Sequence, residues 1–188
     1  QKKPHHRRSP RLTRHLVASD PTTATDLLQT DLPVGTRIAV VRGLARSTDP
    51  IALSLLEQVN PAPWPEPVRI AWLGPLDRLP PQRAVTQIRS SLEILQTIGE
   101  FEAATHQLAT LHHRSTRAQT VLMEILRSRD LRFAHLAGKA LLELEGPKIV
   151  QAWASMAQEN RLDISLRERT ILALARRSDW ESRQALVA

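Results

Sequence analysis

Cysteine and tyrosine are absent from this 188-residue sequence, and aromatic residues make up only 3% of it. Without cysteine the chain can form no disulfide bond and offers no thiolate to a metal, a composition that fits a reducing compartment. The 41% of hydrophobic residues must therefore build a core of leucine, isoleucine, valine and alanine, which suits helices packed on helices. No hydrophobic run approaches the length of a transmembrane helix, and no signal peptide is visible.

Positive charge is concentrated at the N-terminus. Removing six N-terminal cations leaves 20 basic residues (26 − 6) against 19 acidic ones, so most of the net charge of +7 belongs to this segment. We expect residues 1–11 to form a disordered basic leader. Such a leader can bind an anionic membrane surface or nucleic acid, or it can simply be solvated. The six cations are Lys2, Lys3, Arg7, Arg8, Arg11 and Arg14.

A seven-residue pattern occurs twice, as Leu44–Pro50 and as Leu174–Trp180, displaced by 130 positions (174 − 44). A looser copy is Leu16–Pro21. In each copy an apolar helix face gives way to small polar residues, and an aspartate then stands where an N-cap accepts hydrogen bonds from free backbone N–H groups. Twice a proline follows, at the position preferred for the first helical residue. A recurring turn between helices indicates a helical repeat.

Apolar residues follow helical spacing along most of the chain, and no hairpin of strands is indicated, so we predict an all-α fold. Four prolines predict an extended connection at residues 61–67, and Val68–Leu73 is ambiguous between helix and strand, with helix favoured. Gly99–Glu100 is interpreted as a break between helices. Asp130 stands where an N-cap is expected, and Ser165–Glu168 and Ser178–Glu181 match the capping-box pattern.

The turns and helix faces resemble those of HEAT-repeat proteins, a family of armadillo-like arrays of paired helices. The segments that carry the resemblance are Leu44–Leu56, Leu131–Trp153 and Leu166–Leu186. The resemblance implies a right-handed α-solenoid of antiparallel helix pairs over residues 12–188, with a concave face built from the second helices. It also implies a non-catalytic scaffold or adaptor whose extended surface binds another protein.

The ends of the sequence suggest that it belongs to a longer protein. It does not begin with methionine, and it stops inside a helix predicted from Trp180. We therefore expect repeats to continue beyond residue 188, with Leu186 and Val187 exposed at an open edge. Burial of both against Leu166–Ala175 is the alternative. The expected location is the cytoplasm, and a membrane anchor upstream of Gln1 is a further possibility.

No residue cluster predicts catalysis, a cofactor or a metal. His106 and His113 share a helical face beside His112, but a metal site needs further ligands. HEAT-like di-iron hydroxylases carry repeated His-Glu dipeptides, and this sequence contains none.

Two groups of residues are predicted to bind a partner. The first is three tryptophans that can anchor an interface, and the second is part of a C-terminal arginine cluster. Nucleic-acid binding, as in HEAT-like DNA glycosylases, is the main alternative for the arginines, although interleaved acids weaken their field. A HEAT-like bilin lyase or phycobilisome-associated protein is a third interpretation, based on helix composition. The predicted residues are Trp64, Trp72, Trp180, Arg176, Arg177 and Arg183.

Overall fold

The computed structural model of the chain describes residues 9–29, 32–144, 149–177 and 180–187. Within these ranges all regular structure is helical and no strand occurs, which confirms the all-α prediction. Two short 3₁₀ segments, Gly74–Arg78 and His112–Arg114, accompany the α-helices. In chain order the α-helices are α1 Pro10–Ser19, α2 Thr23–Gln29, α3 Val34–Arg46, α4 Pro50–Gln58, α5 Glu66–Leu73, α6 Pro81–Ser91, α7 Ile98–Leu111, α8 Thr116–Leu126, α9 Leu131–Leu142, α10 Ile149–Gln158, α11 Ile164–Ala175 and α12 Trp180–Val187.

The chain divides into two compact units, an N-terminal unit of residues 1–80 and a C-terminal unit of residues 81–188. The division falls at Pro80–Pro81, where the sequence predicted only a turn.

No helix of the described residues has the length and hydropathy needed to cross a membrane.

In the N-terminal unit, α1 lies against α3. The contact is close because Gly43 has no side chain: a Cβ atom there would stand 2.8 Å from Cβ of Val17 and 2.9 Å from the carbonyl oxygen of Arg14. Val17 and Thr13 are buried on the facing side of α1. Helix α1 already begins at Pro10, so the last two residues of the predicted leader are helical.

The prolines at residues 61–67 do not all lie in an extended connection, as the sequence predicted. Helix α5 begins at Glu66 and takes Pro67 into its first turn, where the missing N–H of proline costs no hydrogen bond. The prediction of helix at Val68–Leu73 is confirmed. The guanidinium of Arg78 caps the C-terminal end of α3. It donates hydrogen bonds to the carbonyl oxygens of Ala45 and, at 2.8 Å, of Ser47.

Aspartate N-caps start three helices. The carboxylate of Asp49 accepts from the N–H of Ile51 at 2.8 Å, and that of Asp130 accepts from the N–H of Arg132 at 2.9 Å, as predicted. Asp163 caps α11 by accepting from the N–H of Ser165 at 2.8 Å. The predicted capping box at Ser165–Glu168 is therefore wrong, because the helix begins before Ser165 and an aspartate occupies its N-cap. Residues 178 and 179 of the second predicted box lie outside the described residues.

Helix α7 begins earlier than the sequence predicted. Its N-cap is Thr97, which accepts from the N–H of Glu100, while the Glu100 carboxylate accepts from the N–H of Thr97 at 2.9 Å. Gly99 and Glu100 thus lie in the first turn of α7, and the break that precedes it falls at residues 92–97. Thr97 and Glu100 therefore form a capping box, which the sequence interpretation did not include.

Helices of the C-terminal unit form two sets of lateral contacts. In one set α7 packs on α9 and α9 packs on α11, and in the other α6 packs on α8 and α10 packs on α12. Helices that are consecutive in the chain also touch, from α7 through to α12. Gly138 of α9 permits a close approach of α11, since a Cβ there would meet Leu166 Cδ2 at 2.6 Å.

From α3 onward, every second helix begins at a nearly constant interval. Helices α3, α5, α7, α9 and α11 begin at positions 34, 66, 98, 131 and 164. The first two intervals are therefore 32 positions (66 − 34 and 98 − 66), and the next two are 33 positions (131 − 98 and 164 − 131). Repeat arrays have periods of roughly 20–50 residues.

Candidate partner-binding site

A groove of about 820 Å³ runs across three helices of the C-terminal unit. It is lined by α8, α10 and α12, which alternate along the chain with α9 and α11. The lining residues are Thr116, Gln119, Thr120, Met123, Glu124, Arg127, Val150, Gln151, Ala154, Glu181, Gln184 and Ala185.

The groove combines small apolar side chains with amides and charges of both signs. Glu124, one of the acids that line the groove, forms an ion pair with Arg89 of α6, with 2.9 Å between Oε2 and Nε. Both side chains remain partly exposed. No histidine or cysteine is among the described residues that line the groove. The threonine hydroxyls of the groove therefore have no imidazole base among these residues. Amide donors and acceptors between apolar patches are the surface chemistry of recognition.

Two of the three predicted tryptophan anchors are in the core, which corrects the prediction. Trp72 is fully buried, and its Nε1 donates a hydrogen bond of 3.1 Å to the carbonyl oxygen of Leu56. Trp64 is 5% exposed and forms part of the wall of a hollow of about 560 Å³ in the N-terminal unit. The proline-rich sequence around Trp64 did not reveal that its ring is buried. Trp180, at the start of α12, is 70% exposed.

The predicted arginines do not line the groove. Arg176 is exposed at the end of α11, and Arg183 is exposed on α12. Arg177 lies over the ring of Trp153, with its guanidinium carbon 5.9 Å from the ring centroid. Arg161, a further arginine of the C-terminal cluster in the sequence, is paired with Glu159 at 3.0 Å. Part of the cluster is therefore engaged with groups of the protein itself.

The predicted leader is described only in part. Lys2, Lys3, Arg7 and Arg8 lie outside the described residues. Arg11 is exposed on α1, and Arg14 is half-buried there.

At the C-terminal end of the chain, Leu186 is 41% exposed, while the side chain of Val187 lies outside the described residues. The hypothesis of an open edge therefore stays a prediction.

The histidines do not assemble a metal site in the part of the chain that the structure describes, where no three potential ligands of the His, Cys, Asp and Glu types come together. His112 and His113 lie edge to face with ring centroids 5.5 Å apart. His106 is exposed on α7.

No protein-family model matches the sequence, and no curated protein is significantly similar to it. The candidate site is therefore identified from the geometry of the structure. The predicted partner surface included α12 but not the groove residues Gln119, Gln151 and Gln184, because polar side chains on exposed helix faces form no motif. The signal that could have found them is the nearly constant interval between helix starts, which places α8, α10 and α12 at corresponding positions in successive pairs.

Proposed function

We propose that this protein is a non-catalytic scaffold of HEAT-like repeats that binds another protein in the groove of α8, α10 and α12. The observation that carries the proposal is the combination of regular helix starts with that groove. Short connections between helices favour antiparallel pairs. Pairs that recur at a constant interval stack into a solenoid, whose extended face is the usual binding device.

The position of the groove supports this function. If α7 and α8, α9 and α10, and α11 and α12 are the pairs, the groove is formed by the second helix of each pair. The resemblance to HEAT repeats assigns the second helices to the concave face. Small side chains such as Ala154 and Ala185 leave room in the groove for a partner's side chains.

Binding of nucleic acid receives less support from the C-terminal unit. A phosphate-binding surface needs cations that are free to replace counterions. Among the described residues that line the groove, the carboxylates of Glu124 and Glu181 stand against the single cation Arg127. Arg161 and Arg177 contact groups of the protein itself.

Site-specific photo-crosslinking in the native host tests the proposal. A benzophenone amino acid is placed at Gln184 in the groove and, as a matched control, at Gln82, an exposed glutamine at the start of α6 outside the groove. We expect a protein adduct of defined mass at Gln184 that survives nuclease treatment, is absent at Gln82, and disappears when Ala154→Arg fills the groove. Adducts that nuclease removes, or that form equally at Gln82, would contradict the proposed function.

A further inference from the structure

Helix α11 carries large apolar side chains on its exposed face. Leu172 is 55% exposed, and Ile171 beside it is 42% exposed. The opposite face of the helix is packed, and its buried residues are Leu166, Thr170 and Leu174. Helix α11 is therefore apolar on two sides, whereas a surface helix normally has one apolar stripe.

Leu172 differs in character from the residues at the same position of the two preceding repeats. It is the ninth residue of α11, and the ninth residues of α7 and α9 are His106 and Lys139 (172 − 139 and 139 − 106 are both 33). His106 and Lys139 are both exposed. An exposed leucine by itself needs no explanation. Here, however, a leucine stands at a position that is polar and exposed in the other two helices.

Stacking of a further repeat on α11 does not explain an apolar residue at this position. Ile171 corresponds to Gly138 of α9 (171 − 138 = 33), and Gly138 is buried where α11 packs on α9, facing Leu166. A further repeat in the same register would cover Ile171 in the same way. It would leave Leu172 exposed, as α11 leaves Lys139 exposed. A contact that covers Leu172 as well therefore suits this face better.

Two exposed charges of opposite sign flank Leu172 at equal distances along the helix. Glu168 lies four positions before it and Arg176 four positions after it (172 − 168 and 176 − 172). Arg176 is the C-cap and keeps helical backbone angles, so it continues the same face. In the part of the chain that the structure describes, neither side chain forms an ion pair or a hydrogen bond. Both charges are therefore available to a partner.

The row Glu168, Leu172 and Arg176 is complementary to itself. Residues four apart lie along one ridge of a helix, and in the commonest packing of two helices such ridges lie side by side. About a twofold axis at Leu172 the two rows run in opposite directions, so each Glu168 lies beside Arg176 of the other copy. The two Leu172 side chains meet at the axis. In a closed dimer a contact from one residue to a second is always repeated in the reverse direction.

The other cations of α11 do not oppose this arrangement. Arg167 is half-buried, and its Nε donates a hydrogen bond of 3.2 Å to the carbonyl oxygen of Ala157 in the same chain. Arg169 is exposed, three positions before Leu172, and the twofold axis sets it opposite Ala175, three positions after Leu172. The symmetry thus brings no two like charges of α11 opposite one another.

We infer that the exposed face of α11 binds the same face of a second copy of this chain, forming a twofold-symmetric homodimer. Leu172 and Ile171 supply its apolar centre, and Glu168 and Arg176 form two ion pairs that flank the centre. The inference goes beyond the proposed scaffold function. No residue of α11 is among the described residues that line the groove of α8, α10 and α12, so the dimer contact and the proposed partner site use different helices.

Sedimentation velocity of the full chain, from low micromolar to near-millimolar concentration, tests the inference. We expect a reversible monomer–dimer equilibrium, because one helix face per copy makes a small interface. Leu172→Gln should weaken the dimer about tenfold, as removal of an interface anchor does. The matched control is Ile51→Gln, which changes an apolar residue of α4 with a similar exposure of 47% and should dimerise like the wild type.

Charge reversal tests the twofold pairing itself. Glu168→Arg and Arg176→Glu each place like charges opposite one another, so each variant alone should be mainly monomeric where the wild type is dimeric. A mixture of the two variants restores opposite charges at both pairs and should form a heterodimer. The double variant Glu168→Arg/Arg176→Glu should dimerise like the wild type. Circular dichroism checks that every variant keeps its helix content.

A full chain that stays monomeric at the highest concentration would overturn the inference and leave this face of α11 to a different partner. A dimer that Leu172→Gln and Ile51→Gln weaken equally would overturn it as well, because the two copies would then meet through another surface. So would single charge variants whose mixture associates no more than each variant alone. The crosslink at Gln184 does not depend on this dimer, so the scaffold function is tested separately.

Discussion

The indole nitrogen of Trp153 donates a hydrogen bond of 2.9 Å to the carbonyl oxygen of Leu141, near the end of the preceding helix. Trp72 makes the equivalent bond to Leu56 of the helix before it, at 3.1 Å. In both cases a tryptophan of one helix is hydrogen-bonded to the C-terminal turn of the preceding helix, and its ring is buried. These bonds give two of the four tryptophans a structural explanation that requires no ligand.

The first prediction concerns this bond. Trp153→Phe keeps an aromatic ring but removes the donor, so it should destabilise the protein by about 0.5–1.5 kcal/mol, the net value of one hydrogen bond. Trp153→Ala also removes the buried ring and should cost about 3–5 kcal/mol. Urea unfolding followed by circular dichroism measures both. Trp180→Ala is the control, and because Trp180 is 70% exposed its effect should lie within about 0.5 kcal/mol. Equal destabilisation by Trp153→Ala and Trp180→Ala would show that the two tryptophans do not differ in burial.

The second prediction tests the close approach of α1 and α3. Gly43→Ala places a methyl group against Val17 and the backbone oxygen of Arg14, so the helices must move apart, at a cost of about 1–3 kcal/mol. Gly35, in the first turn of the same helix, has nothing within 4 Å of its virtual Cβ. Gly35→Ala should therefore be neutral or stabilise by up to about 1 kcal/mol, because alanine favours helix. Thermal unfolding of the two variants compares them; similar destabilisation would mean that α1 does not pack as closely as the structure shows.

How far the sequence predicted this fold can be judged at the helix ends. Asp49 and Asp130 were identified as N-caps because aspartate followed by an apolar period has a local physical meaning. Ser165 was predicted to be the N-cap of α11, but the N-cap is Asp163. Both residue types are good N-caps, and only the packed helix selects between them. Trp64 illustrates the same limit, since its proline-rich neighbours indicate a loop but do not reveal that the ring is buried.

Binding surfaces were less predictable than helices. Ile98, Leu131 and Ile164 recur at intervals of 33 positions (131 − 98 and 164 − 131). They can be recognised as equivalent only when the starts of α7, α9 and α11 are known, and the sequence had placed the start of α7 too late. Residues such as Gln184 belong to no sequence motif, and they become part of a groove only through neighbours on other helices.

The third prediction concerns stability in acid. The hydroxyl and N–H of Ser165 hold the pKa of Asp163 below its usual 3.8, and the guanidinium of Arg132 does the same for the pKa of Asp130. Unfolding raises each pKa again, so the stability from these caps is fully present above a pH of about 3.8 and is lost as pH falls through the lower folded value. Asparagine caps a helix about as well as aspartate but does not titrate.

The double variant Asp130→Asn/Asp163→Asn isolates this effect. Its urea midpoint should be similar to or slightly below that of the wild type at neutral pH, and the difference should narrow or reverse below about pH 3.8. Midpoints measured at matched ionic strength across that range provide the test. A difference that is unchanged by pH would mean that neither carboxylate has a lowered pKa in the folded protein.

The last prediction separates the leader from the helical body as a binder of nucleic acid. A deletion must stop before Pro10, because α1 begins there, buries Thr13 and Val17, and packs on α3. Removing residues 1–8 takes away Lys2, Lys3, Arg7 and Arg8. If these cations neutralise phosphates, the deletion should abolish most binding to duplex DNA. It should also lower the slope of log affinity against log salt by about 0.9 for each phosphate that is no longer neutralised.

The matched control for that deletion is Arg176→Gln/Arg183→Gln, which changes two exposed cations of the C-terminal unit and spares Arg177, because Arg177 lies over Trp153. Filter binding at low and moderate salt compares the two proteins with the full chain. We expect the double variant to bind like the full chain, since isolated surface arginines among acids create a weak field. If the deletion protein instead retains steep salt-dependent binding and the double variant loses it, the arginines of α11 and α12 form a nucleic-acid surface. The scaffold proposal would then give way to the nucleic-acid alternative.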